Sequence, residues 1–240
     1  THGMMGLSAA VKNMFGSIPG TMKPEYHFRF PTQSGFANML IDIQTYWKPK
    51  MLLHVCCAIC ASHVVNLIHD EFDLTIFYYN PNIHPEEEYK HRFSEVQRLV
   101  KEFGLDDKID VIEGEYDTDK YFDRCACLAK EREGGARCSE CFYLRLKETA
   151  LYAKEHGYDM FATTRTISPH KNSKVINEIG KKIEEEVGVH FAASDFKKKE
   201  GFKKSNELAA KFNIYRQNYC GCTYSSEYLK EIKEEDNAKD

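Results

Sequence analysis

Nine cysteines in a chain of 240 residues fall in four groups: Cys56/Cys57/Cys60, Cys125/Cys127, Cys138/Cys141 and Cys220/Cys222. Free cysteine often serves as a small buried hydrophobe, but three thiols within five positions, with further pairs elsewhere, point to metal or redox chemistry. Cys138-Ser-Glu-Cys141 is a spacing that lets two thiolates grip one centre, and alone it suits zinc, an iron–sulfur cluster or dithiol exchange. In Cys220-Gly-Cys222 the central glycine permits an unusual backbone angle between two ligands. Cys125 and Cys127 lack any such frame. The total exceeds what one tetrahedral zinc uses, and soft thiolates favour an iron–sulfur cluster with donors left over. His54 and Asp195 are candidate non-thiolate ligands or proton donors. Set against that, His54 alternates with Leu53 and Val55 as a buried histidine would, and Asp195 is placed to cap a turn.

A second kind of chemistry is signalled by Lys197, Lys198, Lys199, Lys203 and Lys204, which crowd Phe196 and Phe202 in one stretch. Such a stretch can track a phosphate backbone while rings stack on bases, or it can be a solvated charged loop. Arg145, Lys147, His170 and Lys171 would extend the patch. A formal net charge of −4 gives the whole chain no general attraction for nucleic acid.

The elements that must position these groups follow a strand–helix rhythm. Met51–Val55 is an apolar run ending in the first cysteines, and Ala61–Ile68 reads as the helix after it. Leu74–Tyr79 reads as a strand, Pro85–Phe103 as a helix with acidic first turn, and Ile109–Ile112 as a short strand. Residues 116–137 are polar helix and loop, and Cys138–Ala153 is a helix. Met160–Thr164, Lys174–Glu186 and Val189–Ala192 continue as strand, helix, strand. A basic loop over 195–204, a helix over Asn206–Phe212 and a charged helix from Glu227 complete the series. Alternation of this kind predicts an α/β fold with a mostly parallel sheet and flanking helices. Its C-terminal strand edge would gather Cys56/Cys57/Cys60, Asn80/His84 and Thr166/Ser168/His170/Asn172.

Ahead of this, residues 1–45 are read as a partly helical N-terminal extension. Short helices are expected at Ala9–Phe15 and Phe36–Tyr46, with a linker over 16–24 and Thr1-His2-Gly3 set aside as an expression remnant. Residues 46–240 are then a single α/β catalytic domain. Hydrophobic content of 42% and charged content of 29% are those of a globular protein. No apolar run reaches membrane-spanning length and no signal peptide is visible, so the expected compartment is the cytoplasm, with no membrane partner.

Taken together, His54-x-Cys56-Cys57-x-x-Cys60, Phe77-Tyr-Tyr-Asn-Pro-Asn-Ile-His84, Arg137-Cys-x-x-Cys-Phe142, Leu144-Arg145-Leu146, Thr166-x-Ser168-Pro169-His170-Lys171-Asn172, Ser194-Asp195-Phe196-Lys197-Lys198 and Tyr215-Arg-Gln-x-Tyr-Cys-Gly-Cys222 resemble the QueH-type epoxyqueuosine reductases. The likeness runs from about Met51 to Ser225 and leaves out Cys125 and Cys127. It implies two-electron removal of the epoxide oxygen of epoxyqueuosine in the anticodon loop of tRNA, the last step of queuosine synthesis. It further implies a four-iron, four-sulfur cluster, a neighbouring iron and no cobalamin. Cysteines among Cys56, Cys57, Cys60, Cys138 and Cys141 are expected to hold the cluster. Cys220, Cys222 and a partner such as Asp195 or one of Cys56/Cys57 are expected at the second iron, which would polarise the epoxide oxygen. The proton donor is sought among His54, Tyr79, His84 and His170, the five lysines are expected on tRNA phosphates, and a ferredoxin- or flavodoxin-like donor is expected to deliver electrons.

The fold implied is a HUP-like, PP-loop-like Rossmannoid domain, with the Cys56–Cys60 loop where PP-loop ATPases carry their phosphate loop. An ATP-dependent tRNA-modifying enzyme is therefore a rival, disfavoured because bulky cysteines stand where small residues must cradle phosphate. A zinc-stapled RNA-binding module is the rival without catalysis. A thiol–disulfide oxidoreductase is a third, weakened by the absence of a thioredoxin-like context around CxxC.

Overall fold

The computed structural model describes residues 48–225, and the expected helices at 9–15, 36–46 and from 227 lie outside that range. Five strands, β1 (Lys50–His54), β2 (Asp73–Tyr78), β3 (Val111–Glu113), β4 (Met160–Thr163) and β5 (His190–Phe191), form one sheet in the order β3-β2-β1-β4-β5. Every pairing is parallel, with Leu53 opposite Ile76 on one side and Ala162 on the other. The order reverses between β1 and β4, where the loops after these two strands diverge and leave a crevice. The expected parallel α/β sheet is present.

Six helices cover the sheet: α1 (Ala58–Ile68), α2 (Glu86–Glu102), α3 (Thr118–Cys125), α4 (Ala136–Glu155), α5 (Ser173–Val187) and α6 (Gly201–Lys211). Successive strand residues point to opposite faces, so β1 feeds two cores. Met51, Leu53 and Val55 pack with α1, α2 and α6, among them Val64, Val96, Leu99 and Ala209. Leu52 packs under α3, α4 and α5 with Tyr121, Leu146, Ile176 and Ile183. Burial on both faces explains why the central strands read as unbroken apolar runs.

One stretch differs from expectation, and another is filled in as expected. The stretch 195–204 is not one loop: the backbone turns over at Lys199 (φ 53°) and Glu200 (φ 61°), and α6 starts at Gly201. Gly201 sits so close to the Phe196 carbonyl that a Cβ there would lie 1.8 Å from its oxygen. Lys203 and Lys204 therefore belong to a helix. In the polar region 116–137, α3 forms a full helix capped by Asp117, whose side chain accepts from the Lys120 amide at 3.1 Å. Among the described residues no helix is long and apolar enough to cross a membrane.

Candidate metal centre

The first cysteine group sits on the turn from β1 into α1. Cys57 occupies the N-cap of α1, with Cys56 before it and Cys60 in the first turn. The three sulfur atoms all lie within 4.8 Å of one another, with Cys56 and Cys57 at 3.7 Å. Such a triad cannot carry three charges. Hydrogen bonds from the Cys57 and Cys60 thiols hold Cys56 well below the usual thiol range, while sharing its proton with Cys56 pushes Cys57 up to about 12 and Cys60 upward as well. One thiolate backed by two thiols, ready to lose their protons to a metal, is what these positions offer.

Four further cysteines line one small cavity with Asn82, Tyr121, Arg137, Phe142, Arg145, Arg165 and Lys171. Cys138 and Cys141 come from the first turns of α4. Cys220 and Cys222 come from the last described loop, where Gly221 adopts φ +95° and a Cβ would lie 2.7 Å from Ile83. The glycine between these two cysteines is thus required by both conformation and space. That loop is tied down by the His84 amide, which donates to the Gly221 carbonyl at 2.8 Å, and by the Tyr219 hydroxyl, which donates to the His84 carbonyl at 2.6 Å. Tyr121 on α3 lies 2.9 Å from Cys222 Sγ. Cys125, which the sequence left without a role, is fully buried beside Arg137, and Cys127 is exposed.

Arg165, on the turn after β4, joins the groups. Its guanidinium is buried, it lines the cavity with Cys138, Cys141, Cys220 and Cys222, and its charge helps to lower the Cys56 thiol. Thiols after β1, on α4 and at the C-terminal loop therefore share one electrostatic site at the switch point. The soft, deprotonatable donor set fits a thiolate-bound metal or cluster.

The remaining expected site residues are distributed unevenly. His54 is fully buried, with Nε2–H donating to the Tyr79 carbonyl at 3.1 Å and Nδ1 facing Thr163 Oγ1 at 3.0 Å. Burial, assisted by Arg145, pushes its pKa down to about 3, so it stays neutral and both ring nitrogens are taken. His84 is half-buried against Phe122 (5.0 Å), Tyr121 (6.1 Å) and Tyr116 (6.3 Å), and its Nε2 is buried with no hydrogen-bond partner. The Tyr79 hydroxyl and Asp195 Oδ1 are likewise buried and unpartnered. Asp195 does not use that oxygen as a cap; its turn is closed by its carbonyl, which accepts from the Lys198 amide. His170 is exposed.

The basic patch is smaller than expected. Lys198, Lys199, Lys203 and Lys204 are exposed, but Lys197 is half-buried and donates to the Lys171 carbonyl at 2.8 Å. Phe196 is fully buried in the core and cannot stack on a base, and Phe202 is half-buried. Arg145 and Lys171 are buried at the cysteine cavity rather than on the patch, and Lys147 pairs with Glu186 at 2.6 Å. Sequence reasoning missed Arg165 and Tyr121. A lone arginine in Thr-Thr-Arg-Thr after a strand was the only signal for the first, and the second lay in a polar stretch without any.

Comparison with known proteins accords with this geometry. A family model described as "Epoxyqueuosine reductase QueH" matches residues 51–228, and a second, described as a domain of unknown function (DUF362), matches residues 1–66. The curated epoxyqueuosine reductase QueH of Streptococcus pyogenes is 40% identical over 181 residues, 75% of this chain and 71% of that protein. Those of Staphylococcus epidermidis and Thermotoga maritima are 39% and 38% identical, over 75% and 73% of this chain and 77% and 89% of theirs. By its family match and by these relatives, the chain belongs to the epoxyqueuosine reductase QueH family of oxidoreductases.

Proposed function

We propose that this protein reduces epoxyqueuosine to queuosine in the anticodon loop of tRNA at the cysteine centre of the sheet edge. The observation that carries the reading is a close triad of thiols after β1 together with four further cysteines that line one cavity with Arg165, a cation whose field also reaches Cys56. The conversion takes two electrons and two protons; both C–O bonds of the epoxide break, a C=C bond forms, and the oxygen leaves as water. When bound, a four-iron, four-sulfur cluster with an adjacent iron would supply single electrons and Lewis acidity.

The residues then divide the work. Cysteines among Cys56, Cys57, Cys60, Cys138 and Cys141 would hold the cluster, and Cys220, Cys222 and Asp195, or one of Cys56 and Cys57, would hold the second iron. The unpartnered Asp195 oxygen and the pinned Cys220–Cys222 loop support that division. His84 is favoured over His54 as the proton donor: its Nε2 is free, the Pro81 backbone engages its ring, and it faces Tyr121 beside Cys222. Tyr79, with its free hydroxyl, stands second, and His170, on the exposed rim, contacts the nucleic acid. Lys198, Lys199, Lys203 and Lys204 meet the tRNA phosphates, with Lys197 anchoring their turn. Electrons come from an external ferredoxin- or flavodoxin-like donor in the cytoplasm.

A zinc-stapled RNA-binding module is the second reading, since a triad of close thiols also suits zinc. Anaerobic purification with iron, sulfide and zinc analysis separates the two. The expected result is a brown protein, bleached by dithionite, that converts epoxyqueuosine in tRNA, with Cys138→Ala losing the colour. A colourless protein that holds only zinc after reconstitution, or one whose iron content survives Cys138→Ala, would sink the assignment.

A further inference from the structure

Buried cations surround the cysteine cavity without the acids that would balance them. Arg137, Arg145 and Arg165 are 2%, 1% and 6% exposed and Lys171 is 7% exposed, and among the described residues no carboxylate lines the cavity with them. One of the four is balanced within the protein: Lys171 pairs with Glu133. Arg137 spends Nη1 on the carbonyls of Leu128, Ala129 and Glu131, although its Nε is buried without a partner.

Arg145 and Arg165 form no ion pair with an acid among the described residues either. Arg145 donates Nε to the Cys141 carbonyl and Nη1 to Asn80 Oδ1, both at 3.2 Å, and leaves Nη2 buried and unpartnered. Arg165 leaves Nε buried and unpartnered, and its guanidinium lies over the Phe142 ring, 4.8 Å from the ring centre. Glu133, an acid whose carboxyl feels Arg165, is already committed to Lys171. A guanidinium has a fixed charge at any ordinary pH, so it cannot escape the cost of burial by losing a proton. Its balancing charge has to come from what sits among the cysteines.

We propose that Arg165, seconded by Arg145, is the fixed counter-charge of the cysteine centre and raises the potential at which that centre accepts an electron. The inference rests on the iron–sulfur reading above. A thiolate-ligated cluster is anionic, and adding an electron adds another negative charge. A cation held in a low-dielectric cavity stabilises the reduced form more than the oxidised one. Arg165 is a positioning residue in this scheme: it acts on the electron through the field and need not touch the nucleoside.

The test is a potentiometric titration, followed by electron paramagnetic resonance, of the reconstituted full chain carrying Arg165, Arg165→Gln or Arg165→Lys, with iron and sulfide counted in each. Arg165→Gln is expected to keep its iron and shift the midpoint to more negative potential, and Arg165→Lys to restore most of the shift. Loss of iron in Arg165→Gln but not in Arg165→Lys would also support a charge requirement. An unchanged midpoint in Arg165→Gln at full iron content would overturn the inference, as would a lysine variant that shifts, or loses iron, as far as the glutamine one. Wild-type protein that assembles no cluster at all would overturn the iron–sulfur reading itself, and this inference with it.

Discussion

Two places in the molecule bury arginine, and they treat it differently. On the α2 side, Arg92 is 2% exposed and pairs with Glu88 at 2.7 Å, donates to the Tyr219 carbonyl and lies over the Tyr219 ring at 5.0 Å. Glu88 in turn accepts from the Tyr215 hydroxyl at 3.1 Å. Nearby, Arg98 bonds Glu95 through both Nε and Nη2 at 2.8 Å, and Glu95 also accepts the Tyr215 amide. At the cysteine cavity, Arg145 and Arg165 have guanidinium atoms with no partner. A closed network holds α2 to the loop that carries Cys220 and Cys222; an open one keeps charge in reserve for a ligand. The same side chain is structural in one setting and functional in the other, and the difference lies in whether an acid is present.

The comparison breaks most visibly on the closed side. Glu88→Gln leaves Arg92 buried with an uncompensated charge, and is expected to cost about 3–5 kcal/mol of stability. The double change with Arg92→Met should recover most of that loss, as urea unfolding of the two variants will show. The open side should respond in the opposite direction. In metal-free protein Arg165→Gln removes a buried charge without orphaning a partner, and stability should rise by about 1 kcal/mol or more. A fall in the melting temperature of that variant would mean that Arg165 is structural after all.

The smallest effect concerns acid. Hydrogen bonding from Arg98 holds the Glu95 carboxyl below its ordinary value, with the Tyr215 amide adding to it. A depressed carboxyl contributes stability above its unfolded pKa and loses it as pH falls through the folded one. Unfolding measured downward from pH 5 should therefore be less steep in Glu95→Gln than in wild type, by less than about 1 kcal/mol for so exposed a partner as Arg98.

Most of the fold was legible in the sequence because parallel strands covered on both faces announce themselves as apolar runs, and their alternation with amphipathic helices left one architecture. The cysteine groups were legible for a related reason: three thiols in five positions, and pairs at CxxC and CxC spacing, have few bland explanations. Phe196 shows where such reading stops. A phenylalanine among lysines looks the same whether it faces a base or the core, and the fold buries it completely, with Gly201 packed close against its carbonyl. Arg165 and Tyr121 were hidden because their role depends on what lies opposite them, and Tyr121 is 101 positions from Cys222.

The spacing of the cysteines also bears on how the protein acquires its centre. Cys138 follows Cys56 by 82 positions and Cys220 follows Cys138 by 82, so each successive closed loop between donor groups spans about a third of the chain. Loops of that length are closed late, after the local helices and the β1–β2 unit have formed, because their entropy must be offset by a core already in place. Part-folded chains can offer Cys56, Cys57 and Cys60 to stray metals, but only the assembled sheet presents all three groups together. A metal centre that uses all three groups would thus have to be loaded onto a nearly native chain.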